Sequence, residues 1–288
     1  MNSINVITHS GKDLIKILDE EINDLHQYFS NLSPSLFTNP SSADGWTNAD
    51  VLSHITMGAL SYHMYLSRAL EGILDPPEGL PSPQKGYLQT DVSTTILEST
   101  KQLEYGNVST LIDMFAANCH KLHVLLSNIG DDEWNKPVYH RLGHTTVRGL
   151  LLYRISEVCL HAWDIKASTE SIPSLHPRTI HPLLERVPGW LDWVFKPGYT
   201  KDNSTTCYHY HVTDPVKTFW EITISEDSFI ILDKPSANPT LTFESESETA
   251  ILFLTGRLKA DKLIEENLLS VNGSEEDLGI FLQSYTSI

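Results

Sequence analysis

Two periodicities divide this chain. From Leu14 to Lys166 the apolar residues recur at three- and four-residue intervals, whereas from Thr206 to Leu232 they alternate with polar ones. The first spacing lines one face of a helix and the second lines one face of a strand. Helices in one block and strands in another predict an α+β chain of two domains, not an alternating α/β sheet. At 288 residues the chain has room for one large domain or two ordinary ones, with a substantial core either way.

Within the helical block, Leu14, Ile15, Leu18, Ile22, Leu25 and Phe29 predict a helix from about Lys12 to Leu32. A Ser/Pro/Asn-rich loop follows, from Ser33 to Gly45. Thr47 with Asp50 three residues on forms a capping box that starts a second helix, and Gly72 marks its stop. Pro76, Pro77, Pro81 and Pro83 then exclude regular helix. A third helical region is expected from Val92 to Ile129, with an irregularity near Gly106, and a fourth from Thr146 to Lys166. Four such helices suggest an up-and-down four-helix bundle.

A further helix is expected between Pro177 and Phe195, bent or broken at Pro182 and Pro188. Strands are predicted over Thr206 to Val212, Thr218 to Ser225, Ser228 to Leu232 and Thr240 to Phe243, with Glu226-Asp227 as a turn. Helical stretches over Glu246 to Leu254, Lys259 to Glu265 and Glu275 to Tyr285 complete a small second domain.

The fourth helix carries the chemistry. Glu157 and His161 stand four residues apart amid Leu150, Leu151, Leu152, Ile155, Val158 and Leu160, so a helix puts both on one face. A carboxylate and an imidazole in that apolar setting are costly to bury unpaired. They can satisfy each other, or they can share a divalent metal with a third ligand, for which His54 is the leading candidate. Two imidazoles and one carboxylate suit Zn²⁺ or Fe²⁺, Ni²⁺ or Mn²⁺, and three protein ligands leave positions open as in catalytic zinc. Asp164, one turn beyond His161, is either a partner for that imidazole or an ordinary polar residue at the helix end.

Other histidines group less sharply. His120 and His123 share a helix face with no carboxylate within a turn and read as a polar stripe. His140 and His144 flank a loop containing Gly143, placed to meet ligand or solvent. His209 and His211 point to one side of a strand, toward a metal or toward a solvated sheet face. Cys159 points away from the proposed ligands, into the core.

A net charge of −17 argues against a nucleic-acid partner or an anionic membrane surface, both of which need clustered Lys and Arg. No apolar run is long enough for a membrane span, and Met1 to Ser10 lacks the basic start and apolar core of a signal peptide. Three widely spaced cysteines, Cys119, Cys159 and Cys207, read as reduced thiols, so a cytoplasmic location is expected. Serine-hydrolase elbow, P-loop and dinucleotide fingerprints are absent.

Gly45-Trp46-Thr47 leading into Asp50-Val51-Leu52-Ser53-His54-Ile55 resembles a segment of DinB-like metalloproteins. Glu157 followed by His161-Ala162-Trp163-Asp164 resembles a signature of the mycothiol-dependent maleylpyruvate isomerase family. Phe253-Leu254-Thr255-Gly256-Arg257, Ala260-Asp261 and Val271-Asn272-Gly273 resemble the sterol-carrier-protein-like domain appended in that family. The resemblance implies a DinB-like bundle over 1–170, a helical linker over 171–204 and a small α+β domain over 205–288. It implies a divalent metal, usually zinc, on His54, Glu157 and His161, and a cleft between the domains where a low-molecular-weight thiol meets an electrophile. Mycothiol, bacillithiol and glutathione are the candidate thiols. Arg257 matches an arginine that would hold a substrate carboxylate, or it forms a surface or interdomain salt bridge. The implied reaction is thiol-dependent isomerisation or transfer on a small, anionic substrate. A metal-dependent lyase, cyclase or hydrolase, or a non-catalytic small-molecule-binding protein, stands as the alternative.

Overall fold

The computed structural model describes residues 9–80, 82, 96–141, 143–196, 199, 205–225, 228–232, 234 and 238–284. Helices and strands are mixed, and the chain divides into two compact units. One unit runs through Thr8–Gln84 and Thr90–Pro182; the other is built on Leu183–Ile288.

In the first unit, α1 (Gly11–Asn31) starts at a capping box between Ser10 and Asp13 and buries Leu14, Leu18, Ile22, Leu25 and Phe29. Helix α2 (Asn48–Leu70) starts at the Thr47–Asp50 box: the Asp50 amide donates to Thr47 Oγ1 at 3.1 Å, and the Thr47 amide donates to Asp50 Oδ2 at 2.9 Å. The third helical region is not continuous. Residues 96–101 are helical, then Gly106 takes φ +69°, and α3 (Val108–Leu126) begins afresh with Asn107 as its cap. A left-handed glycine cannot carry a right-handed helix through, so the chain must start a new one. Residues 92–95 and the prolines at 81 and 83 lie outside the described residues.

A two-stranded antiparallel ribbon, β1 (Pro137–Val138) with β2 (Thr145–Thr146), leads into α4 (Val147–Lys166). Thr146 caps that helix by accepting from the Gly149 amide at 3.0 Å. Helix α4 is buried on nearly every side, which suits a helix with apolar residues all round. It packs against α1 and α2, and both of these also pack against α3. Helix α5 (Pro177–Val194) runs unbroken through Pro182 and Pro188. Its buried residues Ile180, Leu183, Leu184, Val187, Leu191 and Val194 supply the apolar burial that offsets the backbone bonds two prolines remove.

The second unit holds a mixed five-stranded sheet in the order β5-β4-β3-β6-β7, formed by β3 (Thr206–Val212), β4 (Thr218–Ile224), β5 (Phe229–Leu232), β6 (Leu241–Ser245) and β7 (Leu269–Asn272). Strands β3 and β6 pair in parallel and the remaining neighbours are antiparallel. The turn predicted at Glu226-Asp227 lies outside the described residues. Alternate residues of β3 and β6 enter the core, where Tyr210 and Phe243 stack at 5.4 Å. Helices α6 (Ser247–Leu254), α7 (Ala260–Glu265) and α8 (Glu275–Gln283) complete the unit, with Phe253 and Phe281 buried in the same aromatic cluster. Among the described residues, no helix is long and apolar enough to cross a membrane.

Candidate metal centre

Helices α2 and α4 bring the three expected ligands together. His54 lies two turns beyond the Thr47 cap, so the capping box that starts α2 also fixes where along the helix this imidazole stands. Glu157 and His161 share one face of α4, one turn apart. Glu157 Oε2 lies 3.0 Å from His54 Nε2 and 3.7 Å from His161 Nε2. One ligand atom from each of the three residues falls within 4.8 Å of both others. The two imidazoles meet edge to face at 4.9 Å, and Trp46, just before the cap, packs edge-on to His54 at 5.5 Å.

Asp164 takes the first of its two expected roles. Its carboxylate is buried and lies 2.9 Å from His161 Nδ1, and its other oxygen accepts from Ser42 Oγ at 3.1 Å. The Ser42 amide also donates to the Asp164 carbonyl at 3.1 Å. With the proton of His161 on Nδ1, its Nε2 lone pair faces Glu157.

Electrostatics set the protonation states that ligation needs. Burial drives the His54 pKa below its ordinary value, and the bond to Glu157 only partly restores it. Burial also pushes Glu157 upward, but the hydrogen bond from His54 and the positive charges around it outweigh that, holding this carboxyl far below the usual range. A neutral imidazole and an ionised carboxylate are the metal-binding forms.

A cavity of about 100 Å³ opens beside the pair, lined in part by His54, Glu157, Tyr62, Tyr65, His140 and Arg141. His140 therefore reaches the site from its loop, while His144 is exposed. Arg141 and Tyr65 were not foreseen from sequence. The only signal for Arg141 was its place in the loop that His140 and His144 bracket.

The remaining candidates sit elsewhere. His123 pairs with Asp19 of α1 at 2.7 Å, a partner from another helix. His209 and His211 pair with Glu221 and Glu244 across the sheet, at 2.9 and 2.8 Å. Cys159 is buried, and Cys119, Cys159 and Cys207 form no disulfide with one another. Arg257 belongs to the second unit, in the turn after α6, where its Nη1 donates to the Thr255 carbonyl at 3.2 Å.

The chain belongs to the DinB superfamily, whose profile matches residues 17–165, a span that contains His54, Glu157 and His161. Among solved structures it is similar to the mycothiol-dependent maleylpyruvate isomerase, with 13% identity over 90% of this chain and 94% of that one, at a TM-score of 0.59. A histidine-to-alanine mutant of that isomerase matches at 12% identity over 94% and 96% of the two chains, with a TM-score of 0.60. At such identities the likeness is one of fold. A search of the curated proteins finds no sequence match.

Proposed function

We propose that this protein is a divalent-metal-dependent enzyme of the maleylpyruvate isomerase type, acting on a small anionic electrophile with a low-molecular-weight thiol or water as nucleophile. The observation that carries this reading is the convergence of His54, Glu157 and His161, with His161 braced by Asp164. The donor set fits a divalent ion, with Zn²⁺ first, because two imidazoles and one carboxylate match catalytic zinc and leave positions open. A divalent ion held there supplies positive charge that makes a thiol or water arriving beside it a stronger acid, hence a better nucleophile.

The chain's own residues do the rest. Glu157 and the two imidazoles fix the ion's place, and Asp164 keeps His161 in the ligating tautomer. Thiol addition forms a sulfur–carbon bond as the electrophile's double bond opens. Expulsion of the same thiol after rotation restores the double bond, so isomerisation consumes no thiol. Arg257 is proposed to hold a substrate carboxylate, since its planar fork suits two parallel bonds. On this reading the first 170 residues are an up-and-down bundle, 171–204 a helical linker, and 205–288 a sterol-carrier-like domain of a cytoplasmic enzyme that needs no nucleic acid or membrane partner.

A second reading has one observation in its favour. A cavity of about 630 Å³ in the second unit is lined by Phe253, Leu258 and Leu282 with Lys196 and Lys259, a setting suited to an apolar molecule with an anionic end. That favours a non-catalytic small-molecule-binding protein.

Metal analysis of the purified protein and of His54→Ala tests the first reading. About one zinc per chain is expected in the wild type and little in the variant; wild type free of metal after supplementation would sink it. Incubation with mycothiol, bacillithiol or glutathione plus an electrophile, read by mass spectrometry, tests the thiol. No adduct with any of the three would favour a lyase, cyclase or hydrolase, or the binding protein.

A further inference from the structure

We infer that the cavity beside the His54–Glu157 pair is a carboxylate-binding pocket, in which Arg141 takes the carboxylate and Arg154 lies beneath as a second cation. The use made of the bound molecule rests on the function proposed above; the pocket is argued from other residues.

The cavity of about 100 Å³ has room for about three waters, which is the size of a carboxylate with a short carbon stem. Arg141 lines it and makes no hydrogen bond or ion pair with any described residue. Glu157, which lines the same cavity, is already hydrogen-bonded to His54 Nε2 at 3.0 Å. Tyr65 lines the same space, and burial pushes its hydroxyl upward, so it stays a protonated donor. Ser61 and Thr100 add hydroxyl groups to the lining.

Arg154 gives the second, independent observation. It is 1% exposed, and no carboxylate pairs with it among the described residues. Its Nη2 donates to the Ile55 carbonyl at 2.8 Å and reaches Cys119 Sγ at 3.5 Å, and the guanidinium carbon lies 5.8 Å from the Tyr62 ring centroid, while Nε and Nη1 have no hydrogen-bond partner among the described residues. Burial pushes the Cys119 thiol up, so that sulfur supplies no counter-charge. A buried guanidinium without an anion is costly. Nη1 stands 2.9 Å from the point a Cβ on Gly58 would occupy, and Gly58 lines the cavity. The missing side chain at position 58 thus lets the guanidinium pack against the backbone of the cavity wall, placing a buried positive charge just behind it. The Arg141 guanidinium, phenol and hydroxyl groups and a small volume beside His54 and Glu157, with a second cation buried behind the wall, select a short carboxylate whose other end faces the open metal positions.

The test is calorimetric titration of EDTA-treated protein with fumarate, using fumaramide as the neutral analogue and inorganic phosphate as the competing anion. Wild type should bind fumarate and not fumaramide. Arg141→Ala should weaken fumarate roughly tenfold or more, and Arg141→Lys should fall between, because lysine keeps the charge and loses the fork. Circular dichroism of each variant confirms that it is folded; Arg141 sits in a loop, and Arg141→Lys keeps the comparison usable if the alanine variant is not folded. Failure of wild type to bind fumarate, equal affinity in folded Arg141→Ala, or tighter Arg141-dependent binding of phosphate would overturn the assignment. Because the titration needs no metal, the two readings fail separately. Protein that takes up no zinc yet binds fumarate through Arg141 loses the proposed function and keeps the pocket, and the reverse pattern does the opposite.

Discussion

His161 Nδ1 and Asp164 Oδ2 are 2.9 Å apart, and the carboxylate is 4% exposed while the imidazole is 21% exposed. The pair lies on one helix, but the loop before α2 holds it, since Ser42 takes the other Asp164 oxygen. The same short stretch of chain that ends in the Thr47 cap therefore also orients His161 on α4. Both helices are registered to the site by one loop.

Asp164→Asn should weaken zinc binding roughly 10- to 100-fold, the usual cost of losing a carboxylate behind a ligating imidazole. Asparagine preserves shape and burial but removes the negative charge behind the His161 imidazole. Competition against a chromophoric zinc chelator reads the change. Affinity equal to wild type would mean that the hydrogen bond is structural only.

Zinc affinity should fall as the solution is acidified. Ligation needs neutral imidazoles and an ionised carboxylate. Burial holds His54 below the ordinary imidazole value of about 6.5, and the hydrogen bond from His54 holds Glu157 low. Both groups are therefore in their ligating forms at neutral pH, and protons compete for His54 only on the acid side. The same chelator competition between about pH 8 and about pH 5 should show a weak dependence above neutrality and a steep loss below it. Affinity that rises on acidification would contradict the ligand set.

What could be read in the sequence was mostly local. The Thr47–Asp50 box and the Glu157–His161 step are relationships within one helix turn, and helical spacing alone puts their atoms together. His54 was a harder choice, because its partner Glu157 is 103 positions away and thirteen histidines competed for the role. The motif around Trp46 and His54 decided it. Arg141 had no such help, since its approach to Glu157 depends on where the β1–β2 ribbon folds back. The pairing of His123 with Asp19 was hidden for the same reason, as the carboxylate comes from α1. Strand β7 also escaped notice: it is four residues long and exists only through its antiparallel pairing with β6.

Thr47→Ala should destabilise the protein by about 1 kcal/mol, because it leaves the Asp50 amide without its capping acceptor and removes the hydroxyl bond to the Asp50 carboxylate. Urea denaturation should show a lower midpoint with an unchanged slope, since the folded surface stays the same. An unchanged midpoint would mean that water caps α2 as well as the threonine does.

Phe243→Ala should cost far more, roughly 3–5 kcal/mol. Phe243 is fully buried and meets Phe281 at 4.8 Å, Tyr210 at 5.4 Å and Phe253 at 6.0 Å, so its ring ties β6 to β3, α6 and α8 at once. Removing it leaves a void lined by three aromatic rings that cannot collapse together without moving the sheet. Hydrogen exchange should therefore show faster opening across β3 and β6, and more so than at α2, whose contacts lie within the first unit. Equal acceleration in β3, β6 and α2 would instead indicate that the two units unfold as one.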